Sequence, residues 1–146
     1  MSDSQTLRSL RHFLLLVVAG LCVMIMIELW FEEHVEDLQL IPFVLCCLTL
    51  VTTLLYLRRP RRGTLIALRV SLVLLAAASL LGIWLHLSGN FAFELEIRPN
   101  AGIGDVWYEA LSGASPLLAP GILALAATLA AAATWRQDPS AATDGA

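Results

Sequence analysis

Four long apolar runs constrain this chain more than any other feature of its sequence. They cover residues 13–31, 40–57, 65–87 and 115–135, and each holds at least 18 residues. A helix of about 20 residues crosses the hydrocarbon core of a bilayer, which is about 30 Å thick. Backbone groups in lipid must find hydrogen bonds within their own segment, so such runs form helices. The sequence predicts an all-α membrane protein, a bundle of four transmembrane helices with one structured loop.

The composition excludes an ordinary soluble domain. Of the 146 residues, 58% are hydrophobic and only 14% are charged, a balance far from that of water-soluble globular proteins. We expect a polar, cytoplasmic N-terminal segment over residues 1–12, a membrane domain over residues 13–135 and a disordered cytoplasmic tail over residues 136–146.

The direction of the spans follows from an arginine cluster between the second and third runs. Short arginine-rich loops stay on the cytoplasmic side of a membrane during insertion. With this loop inside, eight of the nine arginines lie on the cytoplasmic side and nine of the twelve acidic residues lie outside. We therefore predict that both termini are cytoplasmic. The predicted topology determinants are Arg58, Arg59, Arg61 and Arg62.

The fourth run is rich in alanine and begins irregularly, with Pro116 and Pro120 near its start. Small side chains let helix backbones approach closely, so this run is expected to lie against other helices instead of lipid. The alanines predicted to make these contacts are Ala126, Ala127, Ala130 and Ala131.

The loop over residues 88–114 is predicted to be periplasmic. Four apolar residues, Phe91, Phe93, Leu95 and Ile97, alternate with other residues there. A period of two is typical of a strand with one apolar face. We expect that face to pack onto the bundle, onto lipid headgroups or against a partner, so that the glutamates between its residues point to the periplasm.

The same loop carries the residues that we interpret as a partner-binding surface. Asp105 is expected to cap a short helix over residues 106–111. Loops on a rigid scaffold are where binding residues collect, and an acidic face suits a cationic or metal-bearing partner. The predicted partner-binding residues are Glu94, Glu96, Trp107 and Glu109.

A second group of polar residues lies at the outer ends of the first and third runs. Carboxylates with imidazoles can bind a divalent metal, and two histidines can in principle ligate haem. The other interpretation is that these side chains only mark the water interface. The candidate ligands are Glu28, Glu32, His34 and His86. We predict no cofactor, and a haem or divalent metal held by these four residues is the alternative.

Glu28 and the cysteines suggest two further alternatives. Small multidrug exporters have four short spans and a glutamate in the first, but that acid lies mid-membrane, whereas Glu28 is three residues from the end of its run. Cys22, Cys46 and Cys47 lack the CxxC spacing of metal sites. They are expected to pack as small apolar side chains, with copper or haem-copper handling as the alternative.

The outer loop and the start of the fourth run carry a string of motifs. They are GNFAFELE at residues 89–96, Trp107, ALSG at residues 110–113 and PLLAPG at residues 116–121. This string resembles a family of small uncharacterised bacterial inner-membrane proteins, over residues 84–124 of this chain. The resemblance implies four spans in a bacterial inner membrane and a periplasmic GNxxFELE…LAPG segment, and it carries no activity with it.

The sequence contains no glycine-rich phosphate loop, no HExxH motif and no Ser-His-Asp order. We therefore interpret the chain as a non-enzymatic inner-membrane protein, an accessory subunit or partner-binding scaffold. Its expected partners are the lipid bilayer and other membrane proteins or further copies of itself, not nucleic acid. A haem- or metal-binding redox protein is the second interpretation, and a small transporter is the third.

A reporter that is active only in the periplasm tests this topology. Inserted near Asn100 it should be active, and fused after Gln137 it should be silent, because the arginine distribution keeps that end inside. The opposite pattern of activity contradicts the four-span arrangement with both ends in the cytoplasm.

Overall fold

Residues 2–34 and 37–137 are described in a computed structural model of the chain, and every regular element within them is helical. The helices are α1 (Asp3–Phe31), α2 (Leu40–Arg58), α3 (Arg62–Ile97), α4 (Trp107–Leu111) and α5 (Leu118–Ala133), with 3₁₀ turns at Asp37–Gln39 and Ile103–Asp105. The predicted all-α class is confirmed. The tail predicted to be disordered lies outside the described residues from residue 138 onward.

Helix α1 begins well before the apolar run that it carries. Ser2 and Gln5 form a capping box, in which the Gln5 N–H donates to Ser2 Oγ at 3.4 Å and the Ser2 N–H donates to Gln5 Oε1 at 3.1 Å. A capping box satisfies N–H groups that the start of a helix leaves unpaired. The segment predicted as a polar N-terminus is therefore mostly helical and continues the axis of α1.

Helices α1, α2 and α3 are each long and apolar enough to cross a membrane. Helix α5 has only 16 residues, which span about 24 Å at 1.5 Å per residue. The hydrocarbon core of a bilayer is thicker, at about 30 Å. The fourth apolar run, residues 115–135, is therefore only partly helical. Its first residues belong to an irregular segment between α4 and α5.

The four longer helices pack in a ring in which α1 contacts α2, α2 contacts α3, α3 contacts α5 and α5 contacts α1. The buried side chains of α1 recur every three or four residues, which is the spacing of one helical face. They are Leu15, Val18, Ala19, Cys22 and Ile25. Most of them join leucines of α3 and the alanines of α5 in one shared core.

The alanine face of α5 fits into this core. Ala126, Ala127 and Ala130 are buried, as predicted. Ala131 is exposed, and its predicted contact with other helices is wrong. Successive residues of a helix are turned by about 100°, which places Ala131 beyond the buried stripe that Ala126, Ala130 and Ala133 form.

Both ends of α5 are held by polar side chains of neighbouring helices. At its start, Ser79 Oγ donates to the carbonyl of Pro120 at 2.6 Å. At its end, Arg69 Nη2 donates to the carbonyl of Thr134 at 2.9 Å and Arg11 Nη2 donates to the carbonyl of Trp135 at 3.4 Å. Arginines near a helix C-terminus bind its last carbonyls and are attracted by the helix dipole.

The turn between α2 and α3 carries the four arginines predicted to determine the topology, Arg58, Arg59, Arg61 and Arg62, and all four are exposed. The Arg61 N–H donates to the carbonyl of Arg59 at 2.8 Å. The Thr64 hydroxyl donates to the same carbonyl at 2.7 Å. Because these bonds close the turn within a few residues, the guanidinium groups collect at one end of the ring, which we call the arginine-rich end.

The strand predicted over residues 91–97 is wrong, because α3 continues as a helix to Ile97. Helical spacing divides the four alternating side chains into two pairs, each four residues apart. Phe91 and Leu95 are partly buried, whereas Phe93 and Ile97 are exposed. The helix stops at Arg98, because a residue before proline is disfavoured in the helical region. The predicted loop therefore begins ten residues later than residue 88.

Two tryptophan substitutions on α5 test its packing. Ala130→Trp should destabilise the folded protein by about 1–3 kcal/mol or more, because overpacking a closed core forces the helices apart. Ala131→Trp is the matched control, since residue 131 lies on the exposed side. Folded yield and thermal unfolding in detergent are the measurements. Equal behaviour of the two variants contradicts the ring arrangement.

Candidate functional site

The predicted partner-binding residues all lie in one substructure beside the ring. It consists of the last turns of α3, the 3₁₀ turn, α4 and the chain up to residue 115. Helix α4 packs against α3 and contacts the 3₁₀ turn. We call residues 88–115 the α3–α4 lobe. It includes Val106 and Ala110, whose side chains are completely buried.

Asn90 ties the lobe together. This side chain is buried on α3, and its Nδ2 donates to the carbonyls of Ala110 at 2.9 Å and Ser115 at 3.0 Å. Its Oδ1 accepts from the Ser115 N–H at 3.0 Å. The amide therefore uses both of its donors and its acceptor on the returning chain. A Cβ added at Gly113 would lie 2.6 Å from Asn90 Cγ, so the close approach of the chain requires glycine there.

Arg98 joins α3 to α4 electrostatically. Its Nη2 donates to Glu109 Oε1 at 2.8 Å and lies 3.5 Å from Glu94 Oε2. The hydrogen bond from the guanidinium lowers the pKa of the Glu109 carboxyl below its usual range, because it stabilises the charged form. One arginine thus pairs with two glutamates of the lobe, and the group of three side chains keeps a net negative charge.

The aromatic contact of the lobe joins the same two helices. The rings of Phe91 and Trp107 lie 5.3 Å apart between centroids and are tilted by 45°, a separation typical of paired aromatic rings. Trp107 still exposes half of its side chain, and Tyr108 exposes 79%. Ile103 is also largely exposed. The lobe is therefore held internally and leaves apolar and aromatic surface uncovered.

The structure assigns different surroundings to the four predicted partner-binding residues. Glu94 and Glu109 lie beside Arg98, and Trp107 packs on Phe91. Glu96 is exposed and has no hydrogen bond or ion pair with any residue in the described ranges. Of the three glutamates, only Glu96 presents a carboxylate that is not already engaged.

Asp105 does not cap α4. Its Oδ2 accepts from the Gly102 N–H at 2.8 Å, so it closes the 3₁₀ turn before the helix. Helix α4 begins at Trp107 without a side-chain cap. The predicted short helix over residues 106–111 is confirmed to within one residue, but its predicted cap is wrong.

The four candidate metal or haem ligands are not brought together. His34 Nδ1 lies 2.9 Å from the carbonyl of Glu32, and His86 Nδ1 lies 2.9 Å from the carbonyl of Pro116. Glu28 is exposed on α1. Within residues 2–34 and 37–137, no three residues of the types His, Cys, Asp and Glu form a group that could hold a metal ion. The imidazoles instead contact backbone carbonyls, one at the end of α1 and one in the segment between α4 and α5.

The cysteines lie where α1 meets α2. Cys22 and Cys46 are completely buried in the core, and Cys47 Sγ lies 3.1 Å from Met26 Sδ. All three are free thiols. Their surroundings are those of small apolar side chains that fill a helix interface.

Two residues that organise the lobe were missed by the sequence reasoning, namely Asn90 and Arg98. Arg98 lies four residues after Glu94, a spacing that pairs opposite charges on a helix, but the prediction of a strand hid this signal. Asn90 had a weaker signal, as a lone amide at the end of a long apolar helix. Its partners are 20 and 25 residues away, and no local pattern indicates them.

Comparisons with known proteins add no relatives: no protein-family model, no curated protein and no solved structure matches this chain.

Replacing Asn90 by alanine should open the lobe and leave the ring intact. The change removes three hydrogen bonds, and each buried polar group left without a partner costs about 1–3 kcal/mol. Hydrogen exchange of the amides from residue 107 to residue 115 should become at least about tenfold faster. Ser88→Ala is the control, because Ser88 only donates to the Leu85 carbonyl on an exposed face of the same helix. Identical exchange in both variants contradicts the role of Asn90.

Proposed function

We propose that this chain is a non-enzymatic, four-span protein of a bacterial inner membrane that binds a partner protein through the α3–α4 lobe. In this proposal α5 is the fourth span, with its flanking residues completing the crossing. The arginine-rich end faces the cytoplasm and the lobe faces the periplasm. Three helices of span length and the segregation of arginines from acidic residues support this arrangement. The resemblance to the small inner-membrane family is part of the same proposal.

The observation that carries the proposal is that the lobe is internally fixed yet keeps large side chains uncovered. Buried contacts through Asn90, Val106 and Ala110 hold it. Burying one large apolar side chain completely contributes about 1.5–3 kcal/mol. A surface formed by several such side chains therefore favours a covering partner, and its fixed shape lowers the entropy lost on binding. The uncovered side chains are Ile103, Trp107, Tyr108 and Leu111.

The charges on the lobe indicate what kind of partner it binds. Glu94 and Glu109 share the single positive charge of Arg98, and Glu96 and Asp105 are further exposed carboxylates on the lobe. Both lie near the aromatic residues in sequence. We therefore expect the partner to present apolar or aromatic side chains with a basic residue at the rim, where charge pairs set orientation and specificity.

The position of Glu28 does not support a function as a transporter. A coupling acid in a membrane exporter must face the interior of the bundle or a water-filled path. Glu28 is exposed on α1 and lies outside the shared core. The geometry therefore favours the scaffold over the transporter.

Photo-crosslinking in native membranes tests the proposal. A photoreactive amino acid at Tyr108 should give a discrete protein adduct, because this side chain lies on the uncovered surface. The same probe at Val73, which is exposed in the middle of α3, is the control for lipid-facing surface. An adduct of twice the chain mass identifies the partner as a second copy.

Charge variants then test whether the Glu96 carboxylate contributes to partner binding. Glu96→Gln should reduce the Tyr108 adduct several-fold, since a rim charge pair is lost. Glu32→Gln removes the same charge at the same end of the ring but outside the lobe, and it should leave the adduct unchanged. Lipid adducts alone at Tyr108, or equal yields in the two variants, contradict partner binding through this surface.

A further inference from the structure

A cavity of about 540 Å³ opens at the arginine-rich end of the ring. It lies between the first turns of α1, the end of α2 and the end of α5. Its lining includes Arg8, Arg11 and His12 of α1, Tyr56 of α2 and Ala133 of α5.

The cavity exists because α1 is longer than its neighbours at this end. The core-facing stripe of α1 continues from Leu15 through Arg11 and Arg8 to Ser4, at spacings of three and four residues, which keep one helical face. Helix α2 ends at Arg58 and α5 ends at Ala133. The inward face of α1 therefore extends past the helices that cover it elsewhere, and the space it faces is left open.

The cavity has a basic rim. None of the described residues that line it is acidic. Arg11 is already oriented, because Nη2 donates to the carbonyl of Trp135 at 3.4 Å and the Gln137 side-chain oxygen can accept from the same guanidinium. Arg8 and His12 form no hydrogen bond or ion pair with a residue in the described part of the chain. Pro60, in the turn between α2 and α3, also lines the cavity, whereas the four arginines of that turn do not.

The floor of the cavity is apolar. Leu15 and Ala133 form part of it and are almost fully buried, and Leu57 lies beside them. Leu7 also lines the cavity, and Leu7, Leu10 and Phe13 are large apolar side chains of α1 that are exposed at this level. Such residues are costly in water, so this part of α1 belongs at the boundary between headgroups and acyl chains. A ligand that fits both rim and floor has an anionic head and an apolar body.

We propose that this cavity binds the headgroup of an anionic phospholipid. The phosphate lies between the Arg8 and Arg11 guanidinium groups near His12, where charge-assisted hydrogen bonds are strong. The glycerol and the first part of the acyl chains rest on the apolar floor. Basic pockets between membrane helices bind acidic lipid headgroups in this way. The inference requires only that the ring lies in a bilayer, and it is independent of the partner proposed for the lobe.

Native mass spectrometry of the full-length protein in detergent tests this inference. Phosphatidylglycerol is the anionic probe, phosphatidylcholine is the lipid control, and inorganic phosphate alone tests for a soluble ligand. One phosphatidylglycerol should bind the unaltered protein in clear preference to phosphatidylcholine. Arg8→Gln should weaken that binding at least about tenfold, because a charge-assisted hydrogen bond to the phosphate is lost.

Two further variants distinguish this cavity from general surface charge. Arg62→Gln removes an arginine from the same end but not from the lining, and it should bind phosphatidylglycerol as the unaltered protein does. Ser4→Trp keeps every charge and fills the cavity from an exposed position. This variant should lose the preference for phosphatidylglycerol over phosphatidylcholine.

Three results overturn the proposal. Equal loss of binding in Arg8→Gln and Arg62→Gln would show that only the overall charge matters. Undiminished binding in Ser4→Trp would place the lipid elsewhere. Arg8-dependent binding of inorganic phosphate as tight as that of phosphatidylglycerol would show that the ligand is a soluble phosphate and not a lipid.

Discussion

The rest of the structure depends on the packing of α5 between α1 and α3. Its alanine face brings the backbones close enough for side chains at both ends to reach it. Ser79 bonds to the carbonyl of Pro120 at one end, and Arg69 bonds to the carbonyl of Thr134 at the other. The last carbonyls of a helix have no donor within the helix and are costly to leave unpaired in an apolar environment. Arg69 and Arg11 supply donors at that end of α5, whereas Ser79 ties the start of α5 to α3.

Both candidate binding regions follow from the difference in length between α5 and its neighbours. Helix α3 has 36 residues and α5 has 16, so α3 extends beyond α5 at one end and supports the α3–α4 lobe. Helix α1 extends beyond α5 at the other end and leaves the cavity with the basic rim. The two regions have opposite charge, since the lobe carries exposed carboxylates and the cavity carries arginines. A bilayer with an acidic inner surface suits the second region.

The lobe combines internal order with an uncovered surface, and the two properties have different origins. The internal order comes from two side chains. Asn90 forms hydrogen bonds with the backbone of Ala110 and Ser115, and Arg98 pairs with carboxylates of two helices. The uncovered surface comes from the shortness of α4, whose five residues can bury only one face. Trp107 therefore packs on Phe91 with one part of its ring and leaves the rest available.

By itself the sequence determined the helical class, the positions of the long apolar segments and the separation of arginines from acidic residues. These properties depend on sums over neighbouring residues, such as hydropathy and charge, and need no knowledge of distant contacts. Only the tertiary structure decided that residues 91–97 continue α3, that Ala130 is buried while Ala131 is exposed, and that Glu96 is the one glutamate of the lobe without an ion pair to any described residue. The first two outcomes depend on partners farther along the chain, α4 for Phe91 and the core for Ala130. The third depends on the helical course of residues 94–98, which places Arg98 beside Glu94 and within reach of Glu109. A short alternating pattern suits either a strand or a helix, and the contacts that choose between them form only when the chain folds back on itself.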